Sequence, residues 1–182
     1  MKKQDLVLAV RWNKRKETLR KCTEDFLSFL KKLKTYQPTF FGTWYGGGSS
    51  KKEALSNKVI FEYEYIKNRF SRRDKENSYS DVGYFESIWN GEDDFKSMGI
   101  DISQGKDGIV VNWCTINLPA EGAVYDYFKE PFHQLELLKI MITHWKADSV
   151  NIHYKGDVFS PFTDEKLLKA IKENVVYYPE IS

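Results

Sequence analysis

Three segments in the middle of the chain alternate apolar and polar residues, and this alternation constrains the fold more than any other feature. They span residues 79–90, 95–103 and 109–118, and turn signals separate them at Asn90-Gly91 and at 105–108. A strand with one buried face shows this period of two, and short turns join strands that run antiparallel. The sequence therefore predicts an antiparallel meander in the centre of the chain.

Further strand and helix patterns flank the meander. Residues 6–12 form an almost continuous apolar run, and residues 149–155 form another β-prone segment, so both are predicted strands. Apolar side chains recur every three or four positions over residues 14–34, which predicts an amphipathic helix with Asn13 as its N-cap. Together these elements predict an α+β fold, a single domain over residues 1–182 whose helices pack on one side of a mostly antiparallel sheet.

The remaining segments give more local expectations. Pro131 suits the first turn of a helix that continues to Ala147. Phe132 and the apolar residues that follow it are expected to form the apolar face of this helix. The other expectations are a β-prone aromatic segment over 39–45, a short helix over 51–55 capped by Ser50, a segment over 59–70 that fits strand or helix, a loop over 120–129 with exposed Tyr125 and Tyr127, and a last helix capped by Thr163.

Composition narrows the classes of function. The net charge is only +2. A nucleic-acid binder or an acidic DNA mimic relies on a strong electrostatic field of one sign, which a net charge this small does not produce. The two cysteines, Cys22 and Cys114, form no disulfide framework or metal-ligand pattern, and no apolar run is long enough for a membrane span. We therefore expect a cytoplasmic protein. Aromatic residues make up 15% of the chain, more than a core should need, and surface aromatics are good interface anchors.

No residue pattern in the chain indicates catalysis. His133 and His144 are too far apart on one predicted helix to share a metal, and His153 lies in a predicted strand. Glu62 and Glu64 alternate as in a nuclease strand, but Lys67 has the wrong spacing to complete that pattern. Cys22 falls on the apolar stripe of the first helix, where a buried thiol is inert. We expect no enzyme, cofactor or metal.

The order of several motifs resembles the immunity protein 52 family of bacterial polymorphic toxin systems. The resemblance covers roughly residues 5–155 and rests on matches in sequence order. These are a helix ending in Phe26-Leu27-Ser28-Phe29-Leu30, the aromatic segment 40–45, the run at 50–55, Asn68-Arg69 with Arg72-Arg73-Asp74, the strand end Ser87-Ile88-Trp89-Asn90-Gly91, Asn117-Leu118-Pro119, and Trp145 ahead of Asp148.

This resemblance implies an antitoxin made in the toxin's own cell. Such a protein binds a cognate toxin, often a restriction-endonuclease-like nuclease delivered by contact-dependent or type VI secretion, and blocks it without catalytic residues or cofactors. We expect a few aromatic, arginine and polar anchors and an acidic loop that replaces substrate phosphates. The candidate partner-binding residues are Trp44, Tyr45, Arg72, Arg73, Trp89, Asn90, Glu92, Asp93 and Asp94.

Three other interpretations stay open at the level of sequence. The first 34 residues are rich in lysine and arginine, so the first helix is a candidate nucleic-acid-binding face. Glu62, Glu64 and a histidine are candidates for a small metal-dependent hydrolase. An aromatic pocket for a small ligand is the third. The sequence predicts no oligomeric state.

Overall fold

A computed structural model describes residues 6–13, 15–76, 83–105 and 111–154. The strands are β1 (Leu6–Trp12), β2 (Tyr84–Trp89), β3 (Gly99–Gln104), β4 (Asn112–Leu118) and β5 (Ser149–Tyr154). The helices are α1 (Leu19–Tyr36), α2 (Pro38–Phe41), α3 (Lys51–Ser56), α4 (Tyr63–Glu76), α5 (Gly122–Phe128) and α6 (Pro131–Trp145), with a 3-10 turn at Asp94–Lys96.

The strands form one sheet in the order β2-β3-β4-β1-β5, and every neighbouring pair is antiparallel. The predicted meander is confirmed as β2-β3-β4, and the α+β fold class is confirmed with it. The N-terminal strand β1 lies between β4 and β5. The sheet therefore depends on pairings between residues that are far apart in sequence. Strand β2 is left at one edge, and this edge positions the candidate site.

One face of the sheet carries the core. The side chains of Leu8, Val10, Ile100, Ile116 and Cys114 on this face are buried and meet the apolar faces of the helices. Trp12 at the end of β1 stacks on Trp145 of α6, with ring centroids 4.9 Å apart and planes 4° from parallel. Helices α4 and α6 contact strands β2 and β1, and together with α1 they cover this face.

Two helices replace segments for which the sequence favoured other structure. Residues 39–45 are β-prone, yet Pro38 begins the short helix α2, because a proline fits the first helical position. The segment 120–129, a predicted loop, contains helix α5. Within it Tyr125 is exposed as predicted, whereas Tyr127 is half-buried against the core, so that part of the prediction is wrong.

Other boundaries differ in smaller ways. Helix α1 begins at Leu19, and its N-cap is Thr18, whose hydroxyl accepts a 3.2 Å hydrogen bond from the amide of Lys21; the expectation of Asn13 as cap is wrong. The ambiguous segment 59–70 leads into α4, which continues to Glu76. Phe132 begins the apolar stack of α6 in the sequence but is 64% exposed. Predicted structure at 79–82, 106–110 and 155–182, including the last helix, lies outside the described residues.

Candidate functional site

The edge strand β2 is covered at its end by the chain segment around Tyr45. The amide of Tyr45 donates to the carbonyl of Trp89 at 2.8 Å, and the amide of Trp89 donates back at 3.0 Å. The indole N–H of Trp89 also donates to the carbonyl of Gly46 at 3.1 Å. An uncovered sheet edge offers unpaired N–H and C=O groups to any other strand. The bridge satisfies those groups at this point and holds both aromatic rings at the surface, 6.4 Å apart.

The same segment is bonded on its other side. Val59 donates to the carbonyl of Trp44 at 2.8 Å, and Gly46 donates to the carbonyl of Asn57 at 2.9 Å. The Asn57 side chain adds a 2.9 Å bond to the carbonyl of Gly47. Because the segment is held from both sides, the positions of Tyr45 and Trp89 are fixed before any partner arrives.

A buried ion pair lies beneath this bridge. Arg69 of α4 binds Glu86 of β2 through two bonds, Nε to Oε2 at 2.7 Å and Nη2 to Oε1 at 2.8 Å. Both side chains are almost fully buried. A side chain at Gly46 would place its Cβ 2.5 Å from a guanidinium nitrogen of Arg69, so any larger residue here would force that buried group to move. The ion pair therefore joins α4, β2 and the Tyr45 segment in one rigid unit.

Asn90 organises the loop that follows β2. Its side-chain oxygen accepts from the amides of Glu92 at 3.2 Å and Met98 at 3.0 Å, and its side-chain amide donates to the carbonyl of Lys96 at 3.2 Å. Gly91 has φ of +85° and lies directly against the ring of Tyr45, which explains the Asn-Gly pair at this turn. The loop is thus shaped by one amide side chain and one glycine.

Two acidic side chains project from this loop. Glu92 and Asp93 are exposed, and Asp93 forms an ion pair with Lys51 of α3. We call the surface group made by Tyr45, Trp89, Asn90, Glu92 and Asp93 the Tyr45–Trp89 surface. The exposed apolar residues Leu55 and Phe95 come from its neighbouring elements, α3 and the 3-10 turn. Neither residue was a predicted partner contact, since only the fold shows that both stay exposed.

A cleft of about 430 Å³ opens next to this surface. Its walls come from α2, the loop after β2 and the start of α5, and Asn90 and Glu92 line it together with Phe40 and Val124. The amides of Ala120 and Glu121 both donate to the carbonyl of Phe95, at 2.8 and 3.0 Å, and so join the loop to the start of α5. The cleft is therefore a preformed feature.

The structure does not bring all the predicted residues together. Trp44 is fully buried, with its indole N–H donating to the carbonyl of Phe41 at 3.0 Å, so its assignment as a partner contact is wrong. Arg72 lies exposed on α4 and makes a contact of its own. The side chains of Arg73 and Asp94 lie outside the described part of the structure.

The residues considered for catalysis are not arranged for it. Glu62 precedes α4 and Glu64 lies in its first turn, so the alternation read as a nuclease strand is not on a strand. In the part of the chain that the structure describes, no group of three histidine, cysteine or acidic residues is placed to hold a metal ion. Burial raises the pKa of the Cys22 thiol to about 12 and also raises the pKa of Cys114. Neither thiol is therefore a nucleophile in the folded protein.

The basic first helix carries less free charge than its composition indicates. Arg20 binds Glu24 at 2.9 Å, and Lys21 is paired with Asp25, each pair one turn apart on the exposed face. The first five residues and Lys14, which contribute to the basic count, are not among the described residues. The exposed lysines Lys31 and Lys32 lie further along the helix, near its end.

A family model described as Immunity protein 52 matches residues 7–152, which include every described element from Val7 in β1 to Ile152 in β5. No curated protein matches the chain. None of the helices within the described ranges is both long and apolar enough to span a membrane.

Proposed function

The chain belongs to the immunity protein 52 family, and we propose that it neutralises a cognate secreted toxin by covering the toxin's active or substrate-binding surface. It would act in the cytoplasm of the cell that makes the toxin, as part of a polymorphic toxin system. The observation that carries the proposal is the rigid Tyr45–Trp89 surface, which presents two aromatic rings and two carboxylates on a preformed support.

The aromatic pair supplies the apolar part of the contact. A stable protein interface buries roughly 1,600 Å² in total and draws most of its energy from a few aromatic and arginine residues. Tyr45 and Trp89 are half-buried, and their backbones are held by the bridge, so little conformational freedom is lost when a partner binds. Arg72 is a candidate anchor on the neighbouring helix α4.

The acidic loop indicates the chemistry of the partner. Glu92 and Asp93 are exposed beside the aromatic pair, and Asp93 would exchange its partner Lys51 for a cation of the toxin. A nuclease carries a basic cleft for its phosphate substrate. Carboxylates at this place would occupy that cleft in the position of phosphates and would speed the encounter through charge complementarity. We therefore propose a nuclease as the toxin.

The test uses the toxin domain encoded by the neighbouring gene, inactivated at its catalytic residue, in a surface plasmon resonance experiment. We expect Glu92→Ser with Asp93→Ser to slow association and to reduce its dependence on salt, because long-range attraction is lost. The matched control is Glu62→Ser with Glu64→Ser, which removes the same charge from exposed positions at the start of α4. Equal association rates for the two double variants would remove the acidic loop from the mechanism.

A separate variant tests the aromatic anchor. Trp89→Phe keeps the bulk of an aromatic ring and removes the indole bond to Gly46, whereas Trp89→Ala removes the ring. We expect Trp89→Ala to weaken binding by about 2 kcal/mol or more, as for aromatic residues at the centre of an interface, and Trp89→Phe to weaken it less. Unchanged affinity in both variants would place the interface elsewhere.

A further inference from the structure

An open groove of about 870 Å³ runs between helices α1 and α6, outside the Tyr45–Trp89 surface. Its floor is apolar and includes Leu27, Tyr36 and Ile140, and its sides carry small hydroxyl side chains and charges. Most of the side chains that line it are exposed, so it is a trough open to solvent and not an enclosed cavity. Its shape suits a segment of polypeptide laid along it better than a small ligand, which binding sites usually bury on most sides.

Both ends of the groove are held by contacts between the two helices. Towards the start of α1, the His144 ring nitrogen Nε2 lies 2.9 Å from the carbonyl oxygen of Asp25. At the other end, the hydroxyl of Tyr36 donates to the carbonyl of His133 at 3.4 Å. The helices run antiparallel between these two contacts, which hold α1 and α6 together at both ends of the groove. A partner would therefore meet a preformed site.

The charged side chains around the groove give a small excess of positive charge. Lys31, Lys32 and Lys139 line it together with Glu24 and Glu136. Glu24 is already bound to Arg20 at 2.9 Å, so its charge is largely compensated. Neither Lys31 nor Lys32 forms an ion pair within the described ranges 6–13, 15–76, 83–105 and 111–154. The charge that remains unpaired on the α1 side is positive and favours an acidic occupant.

An exposed aromatic residue lies on the same face of α6, outside the residues that line the groove. Phe132 is 64% exposed, the highest value among the large apolar side chains of the described chain that stay at the surface. It lies one turn before Glu136 on α6, and residues four apart lie on the same helix face. Glu136, Lys139, Ile140 and Thr143 continue that face along the groove. This face therefore places two apolar side chains, Phe132 and Ile140, among polar ones along α6.

We propose that this groove is a second docking surface, which binds an acidic amphipathic helix of the toxin outside the toxin's catalytic cleft. The apolar face of that helix would lie on Leu27, Ile140 and Phe132, and its carboxylates would meet Lys31 and Lys32. This inference rests on the proposed function, because it assigns the occupant to the same toxin. Two separate surfaces of opposite charge would let the protein select its own toxin among related ones.

The apolar floor favours a protein over a nucleic acid as occupant. A nucleic-acid groove needs basic side chains that follow the phosphate backbone over many contacts. Here the two unpaired lysines flank Leu27 and Ile140, and Glu136 lies among them. A phosphate backbone would leave the apolar floor without a partner. The nucleic-acid interpretation of the basic helix therefore becomes an alternative outcome of the test.

The experiment measures the affinity of the full chain for the inactivated toxin domain from the neighbouring gene. Lys31→Glu with Lys32→Glu should weaken binding by about tenfold or more, since attraction is replaced by repulsion at both positions. The matched control is Lys16→Glu with Lys34→Glu, two exposed lysines outside the groove, which should leave affinity near that of the unchanged protein. Circular dichroism and thermal unfolding verify that each variant is folded.

A second pair of variants tests the exposed ring of Phe132. Phe132→Ala should weaken binding by about tenfold or more if the exposed ring anchors the helix. Its control, Ile60→Ala, removes another exposed apolar side chain away from the groove. Because Phe132 contributes little to the core, we expect this variant to fold. Its affinity for the toxin can therefore be interpreted even if the lysine variants prove unstable.

The outcomes separate this inference from the function on which it rests. If the unchanged protein binds the toxin and both groove variants bind like their controls, the groove proposal is wrong and the proposed function stands. If the unchanged protein shows no binding at all, both are wrong. A fluorescence anisotropy titration with a 30-base-pair DNA probe and a matching RNA completes the test. Salt-sensitive binding that disappears in the Lys31/Lys32 variant, with unchanged toxin affinity, would assign the groove to nucleic acid and overturn the proposal.

Discussion

Arg69 and Glu86 form a bidentate ion pair that is buried between helix α4 and the edge strand β2, with donor–acceptor distances of 2.7 and 2.8 Å. The carboxylate also accepts a 2.9 Å bond from the amide of Ser87, so both partners are well satisfied. The guanidinium group lies against Gly46, next to the residue that bridges Trp89. The candidate partner surface is therefore built on a polar contact below it.

We predict that Glu86→Gln strongly destabilises the protein. The substitution leaves the Arg69 charge buried without a negative partner, which costs about 3–5 kcal/mol in comparable cases. The free energy of unfolding from urea denaturation measures the effect. Replacing both residues, as Arg69→Met with Glu86→Leu, should cost less than the single change because no charge is then left buried.

The exposed pair Glu64–Lys67 on the same helix provides the control. Its side chains are 70% and 39% exposed, so Glu64→Gln should change stability little. If Glu86→Gln were as mild as Glu64→Gln, the buried ion pair would not support the Tyr45–Trp89 surface in the way described.

We predict that Gly46→Ala destabilises the protein by about 1–3 kcal/mol, the usual cost of adding a methyl group to a filled space. The new Cβ would lie 2.5 Å from one Arg69 nitrogen and 2.6 Å from another. Gly47→Ala is a matched control, since a Cβ added there would have no heavy atom of another part of the chain within 4 Å. Thermal unfolding of the two variants should differ clearly, and equal melting temperatures would show that the Arg69 side chain moves aside without cost.

We predict that neither cysteine reacts with a thiol reagent such as DTNB in the folded protein at pH 8. Burial raises the pKa of Cys22 to about 12, and Cys114 is fully buried with its pKa also raised. Only the thiolate reacts, so reaction requires unfolding. Two thiols per chain should become reactive in denaturing urea. Rapid modification of one thiol without denaturant would contradict the buried position of that residue.

We predict that acidification destabilises the fold through His144. Burial lowers the pKa of this histidine to about 4, whereas its ordinary value is 6.5. Between these two values the unfolded chain binds more protons than the folded protein. The contribution to stability is therefore complete above pH 6.5 and is lost as the pH falls towards 4.

Two measurements check the His144 prediction. NMR titration of the folded protein should show the His144 ring neutral at pH 5.5. In urea denaturation between pH 7.5 and 5, the His144→Gln variant should lose less stability than the unchanged protein, because glutamine cannot take up a proton. Glutamine is chosen because its side-chain amide can still donate to the carbonyl of Asp25. An ordinary titration of His144 near pH 6.5 would contradict the desolvation of its ring.

Local patterns in the sequence were sufficient to predict the strands and the amphipathic helix. Strand β1 occupies Leu6–Trp12 as predicted, since an apolar run of this length is typical of a strand buried within a sheet. The placement of β1 between β4 and β5 was not predictable, because it depends on pairings between distant parts of the chain. Segment 39–45 shows a different limit, since its aromatic residues favour a strand while Pro38 before them fits the first position of a helix, and local propensity did not decide between the two.

The candidate site was predictable in part. Asn90-Gly91 marked the turn correctly, and Trp89 lies at the surface beside it. Trp44 and Trp89 are equivalent as residue types, yet one is fully buried and the other only half-buried, and nothing local distinguishes them. The contact between Arg69 and Glu86 joins a helix and a strand 17 positions apart, so it became visible only in the folded chain.

The most direct test of the account measures the residual activity of the toxin domain encoded beside this gene, on its own substrate, as the protein is added. If the protein covers the toxin's working surface, activity should fall in proportion and reach zero at one equivalent, and Trp89→Ala should require an excess. Full toxin activity in a large molar excess of folded protein would contradict the central claim.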